Sequence, residues 1–218
     1  MRKDSPPDYT ILDPREVAAK ARYTYYLPSA VEIEAIGVGD LVKLVFEYLH
    51  DVEEWGAERM WVKITAISDT HLTGQLDNQP YEPSTSLAPD DEIQFHRFNV
   101  IDIMWDDPAT APAKPERREY WDRCIVDGCV LDGSEPVEYL YREKPEPPPE
   151  DEKDPDSGWR IRGRFGDASD AEIDNREAHY VALGAVLNRD DSWLHLLDEP
   201  IGSSFIRDFD SGDYKAAD

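Results

Sequence analysis

Near the middle of the chain the stretch 106–115, DDPATAPAKP, carries three prolines and no large apolar side chain. Proline lacks the backbone donor that a ladder or helix needs, and small side chains bury little, so no shared core can be threaded through this segment. Each flank must then build a core of its own. The reading is two small modules, residues 1–107 and 116–218, joined by a linker over 108–115. The whole chain has 218 residues, enough for one or two domains.

Upstream of the linker, Asp13-Pro14-Arg15-Glu16 announces a helix, with Asp13 as N-cap, Pro14 at the first helical position and Glu16 closing a capping box. Val17, Ala18, Ala21 and Tyr25 continue it on one face. A shorter helix follows Pro28 and stops at Gly37 and Gly39. The period then changes to that of strands: 41–46, 60–67, 72–76, 92–95 and 100–103 are rich in β-branched, aromatic and other apolar residues and are separated by turn formers. Five short strands at close spacing suit a strongly bent sheet or open barrel.

Downstream, 123–126 and 137–141 read as a hairpin around Asp132-Gly133-Ser134. Residues 144–155, KPEPPPEDEKDP, hold five prolines and a mostly acidic remainder, which demands an exposed loop. Gly158–Arg162 resumes a strand, Ala178–Leu187 shows a helical apolar stripe, and Trp193–Leu197 forms a short second helix stopped near Pro200. The fold class is α+β: two modules, each a mostly antiparallel sheet with a few helices, the first barrel-like.

Charge narrows the partners. Asp and Glu total 48 against 23 Lys and Arg, for a net charge of −25, and both halves share it: −12 over 1–109 and −13 over 110–218. A surface so anionic repels nucleic acid and anionic lipid and attracts cationic partners within a Debye length of about 10 Å. Neither a nucleic acid nor a membrane is therefore an expected partner. No apolar run approaches the roughly 20 residues that span a bilayer, and the opening MRKDSPPDYT lacks an apolar signal core. Cytoplasmic residence follows as the default.

No constellation of residues points to catalysis. His50, His71, His96, His179 and His195 are scattered, without HExxH or paired helical spacing, so no metal site is expected. The two cysteines, Cys124 and Cys129, suffice neither for a disulfide framework nor for a thiolate zinc site. Gly37-Val38-Gly39 lacks the lysine and third glycine of a phosphate loop, and there is no GxSxG. Adjacent carboxylates such as Asp106-Asp107 and Asp190-Asp191 arise from composition alone. The chain reads as a binding protein without cofactor, not an enzyme.

The candidate contact surface is the acidic loop. Glu150, Asp151, Glu152 and Asp154, with Asp156 at its exit, form an electrostatic face, and Trp159 anchors the loop end. Gly158 is placed where a positive φ or a close approach is needed. Other candidate contacts are whichever of Trp55, Trp105, Trp121 and Trp193 are exposed.

Two resemblances bear on these residues. Leu41 to Ile103, with VKLVFE, ERMWVKITAI, LTGQLDNQP and DDEIQFHRFNVIDI, resembles a bacterial domain of unknown function numbered 2314. Cys124-Ile125-Val126, Val137 to Glu143 (VEYLYRE), Asp156 to Arg160 (DSGWR) and Pro200 to Phe205 (PIGSSF) resemble the immunity protein 33 family. The second resemblance implies an antidote to a cognate secreted polymorphic toxin, acting by direct binding to that toxin protein. A structural or regulatory adaptor remains the alternative at this point.

Overall fold

The computed structural model describes residues 7–49, 51–148 and 150–217, with the side chain of Asp170 excepted. The opening hexapeptide, His50 and Pro149 lie outside the described residues, and with them the reading of the N-terminus. The chain divides into two compact units, one of residues 1–20 and 25–117, the other of 21–24 and 118–218.

The first unit contains β1 (Tyr9–Ile11), α1 (Arg15–Lys20), α2 (Ala30–Ala35), β2 (Leu41–Tyr48), β3 (Ala57–Ile67), β4 (Leu72–Leu76), β5 (Glu92–Phe95) and β6 (Asp102–Met104). Its strands run in the order β1-β2-β3-β4-β5, and β6 also pairs with β2; all these pairs are antiparallel. The sheet curls into a half-barrel. Alternation decides which side faces in: Val42, Leu44 and Phe46 of β2 and Met60, Val62 and Ile64 of β3 are buried, with Leu72, Leu76 and Ile93 completing the cluster. Each such side chain contributes about 1.5–3 kcal/mol by leaving water. Gly74 permits the tight curl, because a Cβ there would sit 2.4 Å from the Lys63 carbonyl oxygen.

The first helix is shorter than its pattern. It stops at Lys20 and buries no residue, and Val17 lies exposed. Residues 21–24 leave it to join the second unit, where Tyr23 donates its backbone N–H to Asn188 Oδ1 (2.9 Å) and its hydroxyl to Asp191 Oδ2 (2.6 Å). A donor used in this way cannot continue a helical ladder. The second helix forms as expected, with a reciprocal capping box between Ser29 and Glu32.

The second unit contains β7 (Arg123–Asp127), α3 (Gly128–Leu131), β8 (Val137–Arg142), β9 (Asp156–Gly163), α4 (Asp170–Asp174), β10 (Ala178–Ala182), α5 (Leu183–Leu187), β11 (Ser204–Arg207) and β12 (Tyr214–Ala216). The strand order is β10-β7-β9-β8-β11-β12, antiparallel except for the β7–β9 pair. Two expectations are corrected here. The strands at 123–127 and 137–142 do not form a hairpin: β9 lies between them, and α3 occupies the stretch after β7. The stripe over 178–187 is not one helix either, because its first half pairs with the edge of β7, Ala178 opposite Asp127 through Ala182 opposite Arg123. His-Tyr-Val in the middle of that half favours an extended chain once an open edge is available.

Helices α3 and α5 and the 3₁₀ turn Leu194–Leu196 send Val130, Leu183, Val186, Leu187 and Leu196 into one cluster with Cys124, Val126, Leu140, Trp159 and Ile161. Trp159 and Trp193 meet at its centre, ring centroids 5.9 Å apart. All of these groups line a single face of the sheet. On its other face α4 reaches one end, where the Ile173 carbonyl accepts from Arg162 Nη2 (2.6 Å).

Candidate partner-binding face

The pleat fixes what the second face presents. Because Leu140 and Ile161 point into the core, Tyr139 and Tyr141 of β8 and Arg160 and Arg162 of β9 point away from it, and the register sets Tyr139 opposite Arg162 and Tyr141 opposite Arg160. Ile125 lies beside Arg160 on β7, Tyr180 beside Ile125 on β10, and Ile206 beside Tyr139 on β11. The two β8 tyrosine rings stand 5.6 Å apart, and Phe165 approaches Tyr139 at 6.4 Å. Tyr180 and Ile206 are exposed, while Ile125, Tyr139 and Tyr141 are half-buried. Tyrosine and arginine on a rigid sheet are residue types that dominate binding energy at protein interfaces.

The arginines of this face are held by carboxylates. Arg160 donates Nη1 and Nη2 to the two oxygens of Asp156 (3.0 and 2.8 Å) and Nε to Glu143 Oε1 (2.5 Å). Asp156 also accepts from the backbone N–H groups of Glu146 and Gly158, each at 3.0 Å. Burial opposes the Asp156 charge, but Arg160 and those N–H donors outweigh it and hold its pKa below the ordinary carboxylate value. Arg162 pairs with Asp127 (2.9 Å), which Arg176 also reaches (3.3 Å).

The structure sorts the six candidate contact residues into three environments. Glu150 and Asp151 are exposed at the loop turn. Glu152 and Asp154 turn inward onto Arg123, Glu152 at 2.7 Å and Asp154 at 3.6 Å, and the Arg123 guanidinium lowers the Glu152 pKa. Asp156 and Trp159 are buried, the latter completely. The Asp156 charge is used by Arg160, and the Trp159 indole belongs to the core. Gly158 adopts φ +81°, and a Cβ there would fall 2.2 Å from the Glu143 carbonyl oxygen, so both reasons for a glycine apply.

Of the remaining tryptophans, Trp193 is buried, Trp105 half-buried, and Trp121 and Trp55 exposed. His71 and His96, far apart in sequence, lie with tilted rings 4.2 Å apart, and Phe98 stacks on His96 at 4.8 Å. Among the described residues no three His, Cys, Asp or Glu side chains are grouped to hold a metal ion. Burial pushes the Cys124 and Cys129 thiols up, away from the reactive thiolate. Among the described residues no helix is long and apolar enough to cross a membrane.

Sequence reasoning missed the tyrosine–arginine face because it is made by β9 inserting between β7 and β8, which no local pattern announces. The Tyr139-Leu140-Tyr141 alternation was the available signal, since period two puts both rings on one side.

No curated protein and no solved structure matches the chain. The family match that does exist leaves residues 1–123 outside it, so the resemblance of 41–103 to domain of unknown function 2314 is not confirmed. Residues 124–217, the span that builds the tyrosine–arginine face and the core behind it, match the model of the Immunity protein Imm33 domain, which is what the second unit is similar to.

Proposed function

We propose that this protein neutralises a cognate secreted toxin by direct contact, through the open face of the second unit and without chemistry of its own. The Imm33 match carries the reading: an immunity domain implies a toxin partner in general. The face supplies the aromatic groups that such a contact needs, with Tyr139 and Tyr141 as anchors, while Arg160 and Arg162, held by Asp156, Glu143 and Asp127, stiffen the sheet beneath them. Glu150 and Asp151 stand exposed on the loop that enters β9, where they steer a cationic toxin. Steered association reaches about 10⁸–10⁹ M⁻¹s⁻¹ at low salt. The site of action is the cytoplasm, and neither nucleic acid nor membrane takes part.

Co-expression tests this. The wild-type chain rescues cells that express the toxin encoded beside it, and the Tyr139→Ala/Tyr141→Ala variant, folded by circular dichroism, does not. Rescue of equal strength by that variant removes the face from the interface. Failure of the wild-type chain to rescue or to bind the purified toxin overturns direct neutralisation and favours an adaptor role.

A further inference from the structure

In the first unit two segments carry large exposed side chains: the turn between β2 and β3 and the stretch around Tyr81, between β4 and β5. Leu49 and Tyr81 are 66% and 80% exposed, and Trp55 is 51% exposed. Exposed large side chains gathered near one place can mark an interaction site where singly scattered ones do not. The backbone beneath them is nevertheless fixed. Glu82, itself buried, accepts the backbone N–H groups of Glu53 (3.0 Å), Glu54 (2.9 Å) and Trp55 (2.8 Å) and is bonded to the Ser84 hydroxyl. Glu58, also buried, accepts from the Tyr48 hydroxyl (2.6 Å) and from the backbone N–H groups of Tyr81 (2.8 Å) and Glu82 (2.9 Å). Two inward carboxylates thus tie the Trp55 turn to the Tyr81 segment. Fixing a loop before it binds removes part of the ordering cost that association otherwise carries.

Acidic residues predominate along both segments, with the exposed Arg59 at the start of β3 as the exception. From residue 44 to 58 the sequence has five acidic residues and no lysine or arginine, and from 64 to 96 it has six and none. Asp51, Glu53 and Glu54 are exposed on the turn itself. An exposed indole and phenol amid carboxylates match a guanidinium: the ring face attracts the cation, and the planar group stacks where an ammonium does not.

We propose that the Trp55–Tyr81 surface of the first unit docks an arginine-bearing, basic segment of a protein partner. The proposal goes beyond toxin neutralisation by the second unit, since it concerns residues outside the Imm33 match. It stands or falls separately from that reading.

The full-length chain, labelled at its tryptophan indoles, is titrated with a short synthetic arginine–glycine–leucine repeat peptide and followed by NMR, the Trp55 signal being assigned with Trp55→Phe. The expected result is a saturable shift of the Trp55 indole that weakens with added salt. Replacing arginine by lysine in the peptide weakens binding several-fold, and the Trp55→Ala/Tyr81→Ala variant weakens it about tenfold or more, the range of an interface hot spot. Thermal melting checks that this variant is folded. A second variant, Asp51→Asn/Glu53→Gln/Glu54→Gln, keeps both rings and flattens the salt dependence. An immobile Trp55 signal, shifts confined to indoles of the second unit, or equal affinity for the double-alanine variant overturns the proposal. Loss of toxin rescue on changing Tyr139 and Tyr141 leaves it untouched.

Discussion

Arg160 and Asp156 face each other in a two-point ion pair, 3.0 and 2.8 Å, with side chains only 5% and 2% exposed. They stand at the two ends of the DSGWR element in one strand, and four of its five residues serve four different ends: a buried anion, a positive-φ glycine, a core ring and the matching cation. The pair closes the acidic loop onto β9 and sets where the tyrosine face begins.

Removing one partner strands the other. Asp156→Ala leaves a buried guanidinium with Glu143 and the Trp159 carbonyl as its partners, and unfolding free energy should fall by about 3–5 kcal/mol. Replacing both partners, Asp156→Leu with Arg160→Met, should cost much less than the two single changes added together. Urea denaturation of the three variants measures the coupling; additive losses would show that the charges act independently.

Acid reads the same pair through its proton. The Asp156 pKa is lowered in the folded protein, so its contribution is present above the unfolded value of about 3.8 and is lost as pH falls through the folded one. The gap in melting temperature between wild type and Asp156→Asn should therefore hold from neutral pH to about 4 and close below it. Glu82 and Glu152 are also held below their ordinary values and titrate in the acid range, but they do so in both proteins and drop out of the difference. A gap that widens on acidification contradicts the assignment.

Gly158 separates conformation from crowding. Gly133→Ala, at φ +80° with open space where the methyl would go, should lose about 1 kcal/mol from backbone strain alone. Gly158→Ala has the same strain and adds a methyl 2.2 Å from the Glu143 carbonyl oxygen, which cannot retreat freely because the Glu143 N–H is bonded to the Gly158 carbonyl at 2.9 Å. Its loss should be several times larger. Melting of the two variants side by side decides it.

Strands with long alternation were legible: β2 and β3 bury every second residue for most of their length, and nothing in the fold competes with that pattern. β1, three residues at an edge, was too short to carry a period, and β11 and β12 were missed for the same reason. The stripe from Tyr180 to Leu187 misled because both periods place Val181 and Leu183 inward, and only the vacant edge of β7 chooses between them. Gly158 and Trp159 take the positive φ and the core position their sequence context suggests, whereas the facing of Tyr139 and Tyr141 depends on which strand comes to lie beside β8. Pairings between distant segments are tertiary choices that local spacing does not encode.

The loop over 144–155 is proline-rich but tethered. Glu152 on Arg123 and the Glu146 N–H on Asp156 hold it near both ends. Arg123→Ala should raise the rate of tryptic cleavage after Lys153 several-fold while leaving cleavage after Arg117, beside the 106–116 segment, as fast as before. An unchanged rate after Lys153 would mean that the tether contributes nothing to the loop's closure.

The six acidic-loop candidates should finally divide by measurement as they divide by position. Glu150 and Asp151 are exposed and take no part in the Arg123 or Arg160 pairs, so Glu150→Gln/Asp151→Asn should leave the melting temperature unchanged. If they steer a cationic toxin, the same variant should slow association and flatten its dependence on salt, with dissociation altered little, as for a charge on the rim of an interface. Glu152→Gln should do the opposite, loosening the loop through Arg123 before it changes any rate of encounter. Stopped-flow association with the purified toxin at several ionic strengths, paired with melts, separates the two effects. Unchanged association kinetics in the Glu150/Asp151 variant would take the loop out of the binding face and leave Tyr139, Tyr141 and Tyr180 to account for it.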